Sequence, residues 1–226
     1  MKLFADGFAV YRSQFLSVIL LSFTIVFPLL LFHSVLSNFV YATTSNLESS
    51  AFGDFTNAFL TLLFLVVGQL PFIQYTLSDR SGSEQPLKDS YSTFLYRGFS
   101  VYVFGLLYCL IVLTGMVALI VPGIILLVLL FLTPYISVVK EMPLRRAWRF
   151  ALRFGRKYFF KLLALIALTG IIELLIELVA MIGMSYVTSE YLVILLSQIL
   201  LNVFLFPLVV IVITTHVLEW KEKSWL

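Results

Sequence analysis

The feature that most constrains this chain is a series of long apolar runs separated by short polar segments. Such runs begin near Gln14, Asn57, Phe99, Leu162 and Tyr191. A helix of about 20 apolar residues spans the hydrocarbon core of a bilayer, whereas the segments of a soluble core are shorter. Hydrophobic residues make up 61% of the chain and charged residues 12%, against about 45–50% and about 25% in soluble domains. The sequence therefore predicts an all-α integral membrane protein.

The third run, Phe99–Lys140, is too long for one span and contains Val121-Pro122-Gly123 at its middle. Proline cannot continue a helix and glycine accepts the conformation of a turn, so we expect a tight hairpin of two spans there. The total is then six transmembrane helices. The other four spans are predicted at Gln14–Leu36, Asn57–Leu77, Leu162–Met184 and Tyr191–Leu218.

The basic residues predict how these spans are oriented. All 15 Lys and Arg residues fall on one side of the predicted membrane, before the first span, after the second, after the fourth and after the sixth. The segments on the opposite side carry only the acidic residues Glu48, Asp54 and Glu190. Because Lys and Arg are concentrated in cytoplasmic loops, the sequence predicts that both termini are cytoplasmic.

The most charged stretch is EMPLRRAWRFALRFGRKYFFK, residues 141–161. At about 100° per residue, Trp148 and the other apolar residues share one arc of a helix. The basic residues share the opposite arc: Arg145, Arg146, Arg149, Arg153, Arg156 and Lys157. This pattern is typical of an amphipathic helix on a membrane surface. Here it predicts cytoplasmic contacts with anionic lipid headgroups, each basic residue contributing about 1 kcal/mol.

Two other interpretations of this stretch differ in weight. In the first, which stays open, the helix serves only to fix the topology and packs under the bundle. A nucleic-acid partner is not expected, because aromatic rings that stack on bases lie beside the charges, whereas here the two kinds of residue are separated.

The two longer cytoplasmic segments resemble each other. PLKDSYSTFLYRG at 86–98 and PLRRAWRFALRFG at 143–155 share Pro-Leu followed by a basic residue, an aromatic residue, a leucine and the final glycine, without a gap. Pro71 and Pro134 lie at corresponding places in the preceding spans. The pattern predicts an internal repeat of a cytoplasmic amphipathic interfacial helix followed by a transmembrane hairpin, and a chance match is the alternative. The repeat units are 1–78, 79–140 and 141–226, within one membrane domain of residues 1–226.

The run IVPGIILLVLLFLTPYISVVKEMPLRRAWRFALRFGRKYFFKLLALIAL, residues 120–168, resembles a bacterial superfamily. Its members are the YciC-like proteins and the membrane domain attached to some glycerophosphodiester phosphodiesterases. In that superfamily a span opening with Pro-Gly-Ile precedes an acidic turn, a basic amphipathic helix with a tryptophan, and another span. Ala147 departs from the pattern, which has a serine before the tryptophan. The resemblance implies a six-helix protein of the bacterial cytoplasmic membrane. It carries over no catalytic residues, because the phosphodiesterase catalytic domain is absent from this sequence.

Polar residues inside the predicted spans are few. Glu173 and Glu177 stand one turn apart on the fifth span, and Gln198 and Asn202 stand one turn apart on the sixth. Intramembrane carboxylates are costly enough to be candidate functional sites. We expect Glu173 to approach Asn202, and Glu177 to approach Gln198. Either the amides hold the two helices together through hydrogen bonds, or the carboxylates bind a proton, a cation or a substrate amine.

No motif of an enzyme accompanies these residues. His33 and His216 lie on different spans and have no HExxH setting, and there is no P-loop or nucleophile elbow. We therefore expect no enzymatic activity, no catalytic residue, no cofactor and no metal. The expected function is a non-enzymatic multi-pass membrane protein that acts as an accessory, regulatory or immunity-type factor through contacts with lipids and with a membrane protein or peptide. The alternative is a small transporter or lipid-handling protein that uses Glu173 and Glu177.

Overall fold

The structure is a computed structural model that describes residues 2–44 and 50–225, with the side chains of residues 5–44 and 50–220. The described chain is 91% helix and contains no strand. Some charged residues used to predict the orientation lie outside this part, namely Glu48 and the side chains of Lys2, Lys221 and Lys223.

The described residues form eleven α-helices and one π-helical turn. They are α1 Lys2–Ser13, α2 Phe15–Leu21, the π-helical turn Ser22–Val26, α3 Phe27–Thr44, α4 Ala51–Gly68, α5 Leu70–Arg80, α6 Pro86–Ala118, α7 Ile120–Phe131, α8 Thr133–Val139, α9 Leu144–Lys157, α10 Phe159–Val187 and α11 Tyr191–Trp225. Six segments are long and apolar enough to cross a membrane: Phe15–Thr44, Ala51–Arg80, Pro86–Ala118, Ile120–Val139, Phe159–Val187 and Tyr191–Trp220. Their number agrees with the six spans predicted, and α1 and α9 lie outside them.

The turn between the third and fourth segments differs from the prediction. It lies at Leu119, where the backbone is extended (φ −157°, ψ 124°), and not at Val121-Pro122-Gly123. Pro122 instead lies in the first turn of α7, where a missing N–H costs nothing. Gly123 serves close packing, because a Cβ at this position would clash with the main chain of Met116. The predicted turn was therefore placed two residues too far along the chain.

The chain divides into two compact units, residues 28–159 and residues 1–27 with 160–226. In the unit of residues 28–159, α6 packs against α4, α5 and α7, while α8 packs against α5 and α9. In the other unit, α1, α2 and the π-helical turn pack against α11.

Pro207 lies inside α11, the helix against which the N-terminal elements pack. Proline has no N–H, so the carbonyl of Val203, four residues earlier, lacks its helical partner. The buried Ser22 hydroxyl, at the start of the π-helical turn, donates a hydrogen bond to that carbonyl at 2.7 Å. The Tyr11 hydroxyl donates to the next carbonyl, that of Phe204, at 3.0 Å. Burial raises the pKa of Tyr11, so this phenol stays protonated and remains a donor.

Replacing the Ser22 hydroxyl tests this arrangement. We expect Ser22→Ala to lower the free energy of unfolding by about 1–3 kcal/mol, because a buried carbonyl is left without a donor. In a Pro207→Ala background the helix regains the missing N–H, so the same substitution should cost much less. Unfolding in detergent micelles titrated with a denaturing detergent measures both differences.

Ser197→Ala is the matched control, because the Ser197 hydroxyl bonds only a carbonyl of its own helix, that of Ile194. An equal cost of Ser22→Ala with and without Pro207 would show that the hydroxyl does not replace the missing N–H.

Candidate functional site

The basic stretch is held by a reverse turn at the end of α8. The Met142 N–H bonds the carbonyl of Ser137 at 3.1 Å, and Glu141 has a positive φ of 50°. This bonding pattern closes the C-terminal end of a helix and reverses the chain. Pro143 follows in an extended conformation, and α9 begins at Leu144. The turn therefore fixes where the basic helix starts.

Arg97 of α6 holds this turn in place. Its Nη1 donates to the Ser137 carbonyl at 2.9 Å, to the Ser137 hydroxyl at 3.1 Å and to the Met142 carbonyl at 3.2 Å. Carbonyls at a helix C-terminus carry partial negative charge, so a guanidinium is favourable there. From the sequence alone, Arg97 indicates only the orientation of the spans. Its contacts lie at least 40 residues away along the chain, and local spacing does not reveal them.

One face of α9 is made of small residues. Ala147, Ala151 and Gly155 are buried and recur every four residues, so they share one side of the helix. That helix packs against α7 and α8. A Cβ on Gly155 would lie 3.2 Å from the Cα and carbonyl oxygen of Leu129 in α7, which is closer than side chains normally approach. The small face therefore brings the α9 backbone close to the fourth membrane-spanning segment, which α7 and α8 form.

The opposite face of α9 is basic. The six predicted basic residues are all exposed: Arg145, Arg146, Arg149, Arg153, Arg156 and Lys157. Within the described part of the chain none of the six is in a salt bridge. Lys140 and Arg153 both lie over the ring of Phe150, at 4.3 and 4.8 Å from its centroid. Trp148 is 40% exposed and lies 5.9 Å from the Arg149 guanidinium. This surface can bind phosphate groups, because guanidinium groups match their geometry.

The intramembrane polar residues are paired differently from the prediction. Asn202 Nδ2 donates to Glu177 Oε1 at 2.7 Å, so the predicted pairing of Asn202 with Glu173 is wrong by one helical turn. The reason lies in the turn between the two helices, which occupies residues 188–190. Glu177 and Asn202 lie at nearly equal distances along the chain from Ser189, so they face each other at the same level.

Glu173 and Gln198 are half-buried, and within the described residues neither side chain forms a hydrogen bond. The structure thus joins two of the four predicted residues, and Glu173 remains one turn from Glu177 on α10. Among the described residues no group of three or more His, Cys, Asp or Glu side chains could hold a metal ion. The site can accept a hydrogen bond or a proton, and it offers no transition-metal ligand set.

A second polar seam joins α3 to α4. The Tyr41 hydroxyl donates to Asp54 Oδ1 at 2.7 Å, and His33 Nε2 lies 3.1 Å from the Thr61 hydroxyl. His33, Ser37 and Tyr41 recur every four residues, so they share one face of α3. This four-residue spacing is visible in the sequence, but the sequence-based predictions did not include a polar face on α3. The seam binds two helices through polar contacts.

Comparison of the chain with known protein families, with curated proteins and with solved structures gives no match in any of the three. The resemblance of residues 120–168 to the YciC-like superfamily therefore stays a prediction.

Removing the amide of Asn202 tests the observed pairing. We expect Asn202→Leu to lower the free energy of unfolding by about 0.6–1.7 kcal/mol, the range of hydrogen bonds between transmembrane helices. Gln198→Leu, at a neighbouring level of the same helix, should change it little. Unfolding in micelles titrated with a denaturing detergent gives both values, and a larger cost for Gln198→Leu would support the pairing first predicted.

Proposed function

We propose that this protein is a multi-pass protein of the bacterial cytoplasmic membrane, with both termini in the cytoplasm. It acts without catalysis, as an accessory, regulatory or immunity-type factor that contacts anionic lipids and another membrane protein or a peptide. The distribution of Lys and Arg supports the orientation. We assign no enzymatic activity, because the sequence carries none of the motifs that hold a metal, a phosphate or an activated nucleophile.

The basic face of α9 is the observation that carries this proposal. Six exposed cationic side chains lie on one helix, and the opposite face of that helix is buried against α7 and α8. Orienting spans requires fewer charges than these. Anionic headgroups attract Lys and Arg near a membrane surface by about 1 kcal/mol each. Because α9 packs its small face against the fourth membrane-spanning segment, its charges point away from that apolar segment. We infer that α9 is an amphipathic interfacial helix that collects anionic lipid.

The internal repeat forms part of the proposal. The chain breaks before α5 and before α8, and each of these helices has a proline at its second residue. Both helices end in the same hydrogen-bonded turn, with a positive φ at Gly82 (72°) and at Glu141 (50°). Pro86 and Pro143 then precede or begin the next helix. These correspondences support related units, in which the helix that carries the basic face is one copy of a recurring element.

Neutralising the basic face tests the lipid contact. We expect the combined change of Arg145, Arg149 and Arg153 to Gln to lower the preference for anionic over zwitterionic lipid by about 3 kcal/mol, on the order of a hundredfold. The measurement is native mass spectrometry of lipids retained by the protein after transfer from nanodiscs of equal phosphatidylglycerol and phosphatidylcholine content.

The matched control changes the same three residues to Lys, which keeps the charge and should keep most of the preference. Labelling of single cysteines placed in the loops, in a Cys109→Ala background, checks that the topology is unchanged. If the Gln variant retained the same ratio of anionic to zwitterionic lipid as the wild type, the proposed lipid-binding role of α9 would be contradicted.

A second candidate function is a small transporter or lipid-handling protein that uses Glu173 and Glu177. Glu173 favours it, because this half-buried carboxylate lies within a span and has no hydrogen-bond partner among the described residues. Such a group is available to bind a proton or a cation, whereas Glu177 is already engaged by Asn202.

Glu173→Gln separates the two functions. If Glu173 exchanges a proton, the infrared difference spectrum between high and low pH contains a carboxylic acid band that this variant loses, while its unfolding is nearly unchanged. Glu190→Gln, at the exposed turn between α10 and α11, is the control and should retain the band. A spectrum unaffected by Glu173→Gln would contradict the transporter function and leave the accessory function as the remaining candidate.

A further inference from the structure

The turn between α6 and α7 has an apolar surface. Residues 115–125, GMVALIVPGII, contain no polar side chain. Four side chains around this turn are at least 67% exposed: Val117, Leu119, Ile120 and Val121. The turn between α10 and α11, in contrast, consists of the polar residues Thr188, Ser189 and Glu190. A contiguous apolar patch of this kind marks a surface that contacts a membrane or a protein.

The main chain of the α6–α7 turn is also suited to an apolar medium. The Leu119 N–H donates to the Gly115 carbonyl at 2.9 Å, and the Gly123 N–H donates to the Leu119 carbonyl at 3.3 Å. Pro122 has no N–H, so Leu119, Pro122 and Gly123 present no free donor. A free main-chain donor is costly in hydrocarbon, whereas in water it is hydrated.

Arg97 marks the opposite end of the hairpin that the third and fourth segments form. Its guanidinium donates to the Ser137 carbonyl at 2.9 Å and to the Met142 carbonyl at 3.2 Å, so Arg97 and the end of the fourth segment lie at one level. Residues 98–139 contain no charged side chain, and Arg97 and Lys140 flank them. Because a charged group is costly inside the hydrocarbon core, this level lies at one surface of that core.

The fourth segment limits how far the turn reaches from the level of Arg97. From Ser137 to Leu119 it measures about 27 Å at the α-helical rise of about 1.5 Å per residue. The α6 helix covers about 33 Å between Arg97 and Leu119 at the same rise, but the two helices meet at the turn, so the shorter one sets the depth. The hydrocarbon core is about 30 Å thick, and an average tilt of about 20° shortens the reach further. The turn therefore stops short of the far surface of the core.

We propose that the α6–α7 turn stays inside the bilayer, where the acyl chains of the leaflet opposite Arg97 cover its exposed apolar side chains. The occupant of this surface is lipid, because a protein in the aqueous phase cannot contact a turn that lies within the core. The third and fourth segments then present no surface to the water on that side. This inference is independent of the function proposed for α9, which concerns the other leaflet.

Fluorescence quenching locates the turn. A small fluorophore is attached to the thiol of Leu119→Cys in a Cys109→Ala background, and the full-length protein is reconstituted into phosphatidylcholine nanodiscs. Bromine atoms on the acyl chains quench a fluorophore inside the bilayer, whereas iodide quenches one in water. We expect brominated chains to quench the label of Leu119→Cys, and iodide to quench it at least tenfold less than the label of Ser189→Cys. Ser189→Cys is the matched control, at the polar turn between α10 and α11.

Equal quenching by iodide at the two positions would overturn the proposal, because the α6–α7 turn would then lie in water. A label on Leu119→Cys that neither agent quenches would also overturn it, because protein would then cover the turn. If Leu119→Cys does not fold, Ile120→Cys replaces it, since the side chain of Ile120 is similarly exposed.

Thinner nanodiscs, made of lipid with shorter acyl chains, provide a second measurement. They should increase quenching by iodide at Leu119→Cys and leave Ser189→Cys unchanged, because a thinner core no longer covers the turn. A value at Leu119→Cys that does not depend on chain length would contradict the depth proposed for the turn.

Discussion

The rest of this structure depends on one constraint, which is that each main-chain polar group in an apolar helix must be satisfied within the protein. Proline violates it locally by removing a donor. In α11 the chain repairs the violation with the hydroxyl of Ser22, which bonds the carbonyl that Pro207 leaves free. In the spans that contain Pro71 and Pro134 the helix breaks instead. A repaired proline joins two helices, whereas the two breaks lie beside buried polar groups that have no hydrogen-bond partner among the described residues, such as Gln69 Nε2 and Thr133 Oγ1.

The number of spans was predictable because the length and apolarity of a run are local properties of the sequence. The turn between α6 and α7 was harder to place. Pro122 and Gly123 are typical of a turn, yet Pro122 is equally suited to the first turn of a helix, and Gly123 is needed for its contact with Met116. The turn at Leu119 results from a packing requirement between two helices, which the composition of a short stretch does not reveal.

The residues of the candidate site were predictable from the sequence, but the hydrogen-bond partners of these residues were less so. The basic residues of α9 are exposed where the helical projection puts them. The partner of Asn202 depends on the length of the turn between α10 and α11 and on how the two helices are rotated. An error of one helical turn in the prediction therefore gave Glu173 as the partner, whereas the structure shows Glu177. The roles of Ser22 and Arg97 depend on contacts between residues far apart in the chain. Such contacts leave no periodic pattern in a single sequence.

The small face of α9 affects how the basic surface of the same helix can change during evolution. Ala147, Ala151 and Gly155 set how deeply the helix is seated, and the arginines on the other side set its charge. Because different residues control the two properties, the charge can be increased, reduced or rearranged without changing how α9 packs against α7 and α8. A larger residue on the small face would raise the whole cationic surface at once. Mutation can thus change the charge of this surface gradually, while the packing of α9 against α7 and α8 stays nearly fixed.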